Sequence, residues 1–124
     1  MEHSMSFLEI LKEMVDGVEG GVAATVMGMD GLAVQQYISA GEYDVETVGV
    51  EYGKVIDEIK NASTLLNLGE IEEIMVTTKG KDVLLRMLAP EYYIAFVVNH
   101  EANLGKARYF LRKAAVKARK ELAL

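Results

Sequence analysis

The stretch that decides the fold runs Gly20-Gly-Val-Ala-Ala-Thr-Val-Met-Gly-Met-Asp-Gly-Leu-Ala-Val-Gln-Gln-Tyr37. Asp30-Gly31 lies between two short apolar runs, at 22–29 and 32–37, that are rich in residues favoured in strands. An Asp-Gly pair between such runs is typical of a tight hairpin turn, because glycine adopts a positive φ without steric cost. The sequence therefore predicts a β-hairpin.

A helix is predicted immediately before the hairpin. Its apolar stripe consists of Phe7, Leu8, Ile10, Leu11, Met14, Val15 and Val18. Steps of three and four residues between these positions are typical of a helix. Ser4 or Ser6 is placed to cap its start, and the glycines from Gly17 to Gly21 end it.

A second, long helix is predicted over 45–66, with Asp44 as its N-cap and Glu46 in the first turn, where negative charge is favourable. Leu68-Gly69 ends it. Its expected core stripe consists of Val45, Val48, Tyr52, Val55, Ile56, Ile59 and Leu66.

Three strands are predicted next, at 71–78, 83–88 and 92–99. The links between them are of hairpin length, so the strands should run antiparallel. The last of the three is apolar without alternation, as expected for a strand covered on both faces. The first begins with acidic residues, which favours a place at the sheet edge.

The final helix is predicted over 102–122, and its charges are sorted by type. The core stripe consists of Leu104, Ala107, Leu111, Ala115, Ala118 and Leu122. Opposite it lie Lys106, Lys113, Lys117 and Lys120, and along one flank lie Arg108, Arg112 and Arg119. Either the lysines are solvated and the arginine stems cover the rim of the core, or this side contacts a partner or a lipid surface.

Length and composition fit one folded domain, expected at 6–122, with 1–5 as an irregular N-terminus or a remnant of expression. The chain has no cysteine, so it can form no disulfide and no thiolate metal site. The uncharged run at 92–100 is too short to cross a bilayer. A cytoplasmic location is expected.

The net charge of −6 conceals an asymmetry. Residues 1–99 hold six Lys/Arg against seventeen Asp/Glu, whereas 100–124 hold seven against two. A nucleic-acid-binding protein would normally be dominated by its basic surface, so the acidic body argues against that class. The basic end indicates a local face that attracts anions.

Three local sequences follow one another along the chain: Val18-Glu-Gly-Gly-Val-Ala-Ala with Met29-Asp-Gly-Leu-Ala-Val34, then Leu66-Asn-Leu-Gly-Glu-Ile71, then Ala102-Asn-Leu-Gly-Lys-Ala-Arg108. In this order they resemble the Roadblock/dynein light chain family of small-GTPase regulators and motor-associated scaffolds. The resemblance covers 6–122 and implies the α+β, profilin-like Roadblock architecture. That is a five-stranded antiparallel sheet in the order α-β-β-α-β-β-β-α, with the second helix alone on one face.

The resemblance also implies a homodimer in which the third strands pair edge to edge and the second helices lie together. Gly49 and Gly53 cost the second helix about 1 kcal/mol each relative to alanine. Close approach of the backbone of another helix would explain the two glycines. The alternative is that they are tolerated surface positions or local kinks. The expected interface is Gly49, Val50, Gly53, Asp57, Lys60, Thr64, Ile71, Glu73 and Met75, and the basic partner face is Arg108, Arg112 and Arg119.

The sequence predicts no catalytic, cofactor-binding or metal site. His3 and His100 have no partner at metal-ligand spacing and are expected to be ordinary polar surface. Adjacent acids such as Asp57-Glu58 and Glu72-Glu73 point in different directions and cannot work as an acid/base pair. The glycines around Gly20 lead into a strand rather than a helix, so they form no phosphate loop.

The leading hypothesis is a homodimeric, non-catalytic adaptor that binds a Ras-like small GTPase and alters its GTP hydrolysis or localisation. Such a protein can insert an arginine or reposition the partner's own residues, and repositioning by the second helix is favoured. The alternatives are a scaffold subunit of a motor or signalling assembly, a small-ligand sensor domain, and a membrane-surface role for the last helix.

Overall fold

The computed structural model describes residues 5–123, so His3 and Ser4 lie outside the described residues. In chain order the elements are α1 (Phe7–Gly17), β1 (Gly21–Gly28), β2 (Ala33–Ile38), α2 (Val45–Leu65), β3 (Glu73–Val76), β4 (Lys81–Ala89), β5 (Tyr92–Asn99) and α3 (Leu104–Glu121). The strands form one antiparallel sheet in the order β2-β1-β5-β4-β3. The predicted fold class is confirmed.

The start of α1 is fixed by a capping box. Ser6 Oγ accepts from Glu9 N at 3.2 Å, and the Glu9 side chain reaches back to the Ser6 backbone. Two of the amide donors that an α-helix leaves free at its start are therefore satisfied. Of the predicted stripe, Ile10, Leu11, Met14 and Val15 are buried, whereas Leu8 remains 45% exposed.

The Asp30-Gly31 hairpin is confirmed, but its link is longer than a two-residue turn. Four residues, 29–32, separate β1 from β2. Asp30 Oδ1 accepts from Leu32 N at 3.0 Å, and only Gly31 of the pair has a positive φ, at 87°. A two-residue type I′ turn needs positive φ at both central positions, so the Asp30 side chain closes a wider loop here.

The three helices are divided between the two faces of the sheet as expected. On one face α1 and α3 enclose a core that includes Leu11, Phe96 and Leu111. On the other face α2 alone covers Met27 and Tyr93, and its Val45 and Ile56 are fully buried there. Consecutive side chains of β5 contribute to both cores, which explains the lack of alternation in its sequence.

The edge strand β3 is shorter than the predicted 71–78, and at its end Thr78 and the following turn bond to side chains instead of to β4. Thr78 N donates to Asp82 Oδ1 at 3.0 Å, and Thr78 Oγ1 accepts from Gly80 N and Lys81 N, each at 3.1 Å. Such local bonds compete with a strand ladder. The ladder therefore stops at Val76, and only four residues pair with β4.

Within residues 5–123, no helix is both long enough and apolar enough to span a lipid bilayer.

Candidate interaction site

Helix α2 turns its two glycines toward its own sheet. A Cβ at Gly49 would lie 2.6 Å from Met27 Cγ and 3.1 Å from Thr25 Cγ2. A Cβ at Gly53 would lie 2.6 Å from Tyr93 Oη. The close packing that explains these glycines is therefore made with side chains of the chain's own sheet, and their place in a dimer interface stays a prediction.

The hydroxyl of Tyr93 anchors this close approach. Tyr93 is 1% exposed, and its Oη donates to the Gly49 carbonyl oxygen. Burial, with a smaller contribution from the charge of Asp57, raises the pKa of Tyr93 to about 12 from its ordinary 10.0. The strand pattern placed Tyr93 in the sheet interior, but nothing in the sequence indicated a bond to the helix above it.

The second half of α2 and the chain that follows it leave apolar side chains uncovered. Leu65, Leu66 and Leu68 are 83%, 66% and 72% exposed, and Met75 on β3 is 44% exposed. Together with the partly buried Ile71, these residues are termed the α2–β3 surface. Exposed apolar residues concentrated in this way are typical of an interaction site.

Burial was predicted wrongly for two residues of the α2 core stripe. Val55 is 39% exposed, and Leu66 belongs to the α2–β3 surface. Of the predicted stripe the helix fully buries Val45 and Ile56, and it also buries Gly49, which the stripe did not include. A helix approaches a sheet most closely on its smallest side chains, so the glycines set its rotation and turn Val55 outward.

The remaining residues of the expected interface have different surroundings. Asp57 and Thr64 are exposed on α2, while Val50 is partly buried against the core. Lys60 Nζ donates to the Pro90 carbonyl oxygen at 2.7 Å and so ties α2 to the β4–β5 turn. Lys60 therefore makes a contact within the fold. Among the polar α2 residues of the expected interface, Asp57 and Thr64 are the ones that remain accessible to a partner.

Glu73 binds three arginines at the β3 edge. Its carboxylate lies 2.8 Å from Arg108 Nε, 3.4 Å from Arg86 Nη1 and 3.8 Å from Arg112 Nε. Glu73 is largely buried, with an 11% exposed side chain. The sequence assigned Glu73 to the dimer interface, but the side chain joins β3 to β4 and α3.

Two of the three arginines predicted as a basic partner face make their strongest contacts inside the chain. Arg108 binds Glu73, and Arg119 donates to the Leu88 and Met87 carbonyl oxygens, each at 3.0 Å. Arg112 is held more loosely and keeps 54% of its side chain exposed. The structure thus favours the interpretation in which these side chains cover the rim of the core.

A buried carboxylate that the sequence analysis did not single out supports the turn between β3 and β4. Asp82 is fully buried, accepts from Thr78 N, and lies 3.3 Å from His100 Nδ1. His100, expected as ordinary polar surface, is therefore a partner of a buried acid. Residues 5–123 hold no group of three or more His, Cys, Asp or Glu that could bind a metal ion.

An open groove of about 990 Å³ lies between the end of α2 and the end of β4. Its walls include Thr64, Glu70 and Met87, and its cations are Lys60 and Arg119. Both cations already donate to backbone carbonyl oxygens. The groove therefore offers few free polar groups that converge on one point, which a small-ligand site requires.

Comparison with known proteins gives a consistent family. No protein-family model matches the chain, and no curated protein matches it. Among solved structures, MglC from Myxococcus xanthus is 34% identical, with 94% of this chain and 99% of that chain covered and a TM-score of 0.67.

Two more distant structures share the fold. A Roadblock/LC7 domain from Streptomyces avermitilis is 12% identical over 98% of this chain and 100% of that one, with a TM-score of 0.84. The gliding protein MglB from Thermus thermophilus is 14% identical over 90% and 84%, with a TM-score of 0.81. With the 34% identity to MglC over nearly the whole length of both chains, these findings show that the chain belongs to the Roadblock/LC7 family.

Proposed function

We propose that this protein is a homodimeric, non-catalytic, cytoplasmic adaptor, with 6–122 as its one Roadblock domain, that binds a Ras-like small GTPase and alters its GTP hydrolysis or localisation. The α2–β3 surface carries the proposal, because it exposes a set of large apolar side chains beside a strand edge. Family membership supports the same assignment.

The proposed dimer forms at the β3 edge. A strand edge presents free backbone donors and acceptors that a second strand can pair with. Two copies of β3 would extend the sheet across a two-fold axis, and Met75 and Ile71 would then lose their exposure to water. An isologous contact of this kind uses the same residues on both copies.

The proposed effect on a GTPase is to reposition the partner's residues rather than to insert an arginine. Arg86 and Arg108 bind Glu73, and Arg119 is bonded to backbone carbonyl oxygens. An arginine finger needs a free guanidinium on a loop that can enter the partner's site, and the more loosely held Arg112 lies within helix α3. The exposed α2 side chains Asp57 and Thr64 are better placed to contact the GTPase.

Affinity capture from the native cell extract tests the function. The extract is supplied in parallel with GDP and with a non-hydrolysable GTP analogue and passed over the immobilised protein, and bound proteins are identified by mass spectrometry. We expect a small GTPase enriched with the analogue. Recovery of larger assemblies alone, indifferent to nucleotide, would instead support a scaffold subunit.

The role of α2 is tested on the captured GTPase by measuring hydrolysis with Asp57→Lys/Thr64→Lys. We expect this variant to lose its effect on hydrolysis. Lys60 is left unchanged, because its substitution would also break the bond to Pro90. Unchanged stimulation by the double variant would overturn the α2 assignment while leaving GTPase binding itself intact.

A further inference from the structure

The outer side of α3 combines positive charge with exposed apolar side chains. Tyr109 and Val116 are 59% and 54% exposed and lie seven residues apart, on one face of the helix. The exposed cations Arg112, Lys113 and Lys120 surround them. These five residues are termed the α3 outer face. It lies on the side of the sheet opposite α2.

Most of the charge on this face is not neutralised within the chain. Lys113 and Lys120 have no ion-pair partner among residues 5–123. Arg112 makes a weak contact, 3.8 Å from the Glu73 carboxylate, which also binds Arg86 and Arg108 more closely. Lys113 lies over the Tyr109 ring, 5.5 Å from its centroid. The face therefore retains a net positive charge on a chain whose total is −6.

The apolar residues of α3 are divided unequally between the core and the solvent. The helix buries Ala107, Leu111, Ala114, Ala115 and Ala118 against the sheet. Only Tyr109 and Val116 are left as large apolar groups on the exposed side. Two side chains are too few to anchor a helix in lipid, and the acidic body would be repelled by an anionic membrane.

We propose that the α3 outer face binds an acidic segment of a partner protein. Carboxylates of that segment pair with Arg112, Lys113 and Lys120, and its apolar side chains contact Tyr109 and Val116. At 1.5 Å per residue, the two apolar positions are about 10 Å apart along the helix axis, which suits two turns of a partner helix. Because α2 lies on the other face, this site is separate from the α2 residues proposed to contact the GTPase, and only its Arg112 lies near β3, 3.8 Å from the Glu73 carboxylate.

Fluorescence anisotropy of a labelled synthetic peptide tests the proposal. The peptide has about 20 residues, mostly glutamate, with leucines seven residues apart, and a second peptide replaces the leucines with glutamine. The full-length protein is compared with Lys113→Glu/Lys120→Glu and with Tyr109→Ala. The matched control is Lys54→Glu/Lys79→Glu, which changes the net charge equally at exposed positions outside α3.

We expect the α3 charge variant to bind the leucine peptide about tenfold more weakly, or worse, since two attractive charges become repulsive. The control should stay within about twofold of the wild type, because remote rim charges contribute little. Tyr109→Ala should weaken the leucine peptide but not the glutamine peptide. Equal loss in both charge variants would reduce the effect to net charge and overturn the proposal.

A second measurement does not depend on any variant. Amide chemical-shift changes in the wild-type protein should concentrate at Tyr109, Lys113, Val116 and Lys120 when the leucine peptide is added. Changes elsewhere, or no binding at all, would overturn the proposal. So would cosedimentation with phosphatidylserine vesicles under conditions where the peptide does not bind, because that result would assign the face to a membrane.

Discussion

Position 53 requires glycine because the Tyr93 hydroxyl oxygen leaves no space for a Cβ. Alanine is ordinarily favoured over glycine in a helix by about 1 kcal/mol, but a Cβ here would lie 2.6 Å from Tyr93 Oη and 3.5 Å from Tyr93 Cζ. We expect Gly53→Ala to destabilise the protein by about 1–2 kcal/mol, since overpacking outweighs helix propensity. In a Tyr93→Phe background the nearest contact is an ordinary one, so the same substitution should stabilise by up to about 1 kcal/mol.

Urea unfolding of the four proteins in this double-mutant cycle measures the effect. A change of sign between the two backgrounds identifies the hydroxyl as the cause. If Gly53→Ala has the same effect with and without the hydroxyl, the packing of α2 on Tyr93 is not what requires glycine.

Tyr93 also links stability to alkaline pH. Its pKa is raised to about 12 in the folded protein and is near 10.0 in the unfolded chain, so the unfolded chain loses this proton first. The stabilisation is fully present below pH 10 and is lost as the pH rises toward 12. Burial raises the pKa of Tyr43 in the same direction, so the wild type must be compared with Tyr93→Phe.

The free energy of unfolding, measured by urea titration from pH 9 to 12, should fall less steeply in Tyr93→Phe than in the wild type. Absorbance near 295 nm should show one late-titrating tyrosinate that the variant lacks. Parallel pH profiles for the two proteins would show that Tyr93 titrates normally.

At the scale of single elements, the attachment of β3 depends on Glu73. The strand has only four residues. The Glu73 carboxylate is the acceptor shared by arginines of β4 and α3. Glu73→Gln removes the charge and leaves these guanidinium groups without their counter-ion, so we expect a loss of about 2 kcal/mol. Glu72→Gln, at an exposed neighbouring position, should change stability by less than about 0.5 kcal/mol.

Hydrogen exchange distinguishes a local from a global effect of Glu73→Gln. The amides of Ile74 and Val76 should lose protection while those of β5 keep theirs, because an edge strand can open alone. A uniform loss of amide protection across the sheet would contradict a specific role of Glu73 in attaching β3.

The elements themselves were largely predictable from periodicity and capping. The Asp44 cap and the bounds of β5 follow from sequence pattern, and the two-to-one division of the helices follows from the family resemblance. The rotation of α2 does not. Periodicity gives equal weight to Val55 and Ile56, and only the contact of the two glycines with the sheet decides which one is buried.

The candidate site was less predictable than the fold, because long side chains choose their partners in three dimensions. Spacing placed Arg108 and Arg119 beside the apolar stripe of the last helix, which is correct, but could not show Glu73 or the β4 carbonyl oxygens within their reach. Asp82 shows the same limit. A lone acid at the start of a strand predicts solvent exposure, and its burial depends on the turn that Thr78 forms around it.

At the scale of the whole molecule, the two faces of the sheet have different chemistry. The side with α2 leads to an exposed apolar surface beside a strand edge, and the side with α3 carries the uncompensated positive charge. An apolar surface favours a stable contact, whereas exposed charge speeds encounter and weakens in salt. We therefore propose that self-association uses the α2–β3 surface and that a salt-sensitive partner uses the α3 outer face.

The most direct test of the account is sedimentation equilibrium across a micromolar concentration range. The 13.7 kDa chain is predicted to sediment at twice its mass. Met75→Glu should sediment as a monomer, since it places a charge in the proposed contact. Leu8→Glu, at a similarly exposed position on α1, should remain a dimer. A wild-type protein that stays monomeric at every concentration, or a Met75→Glu variant that still dimerises, would contradict the account.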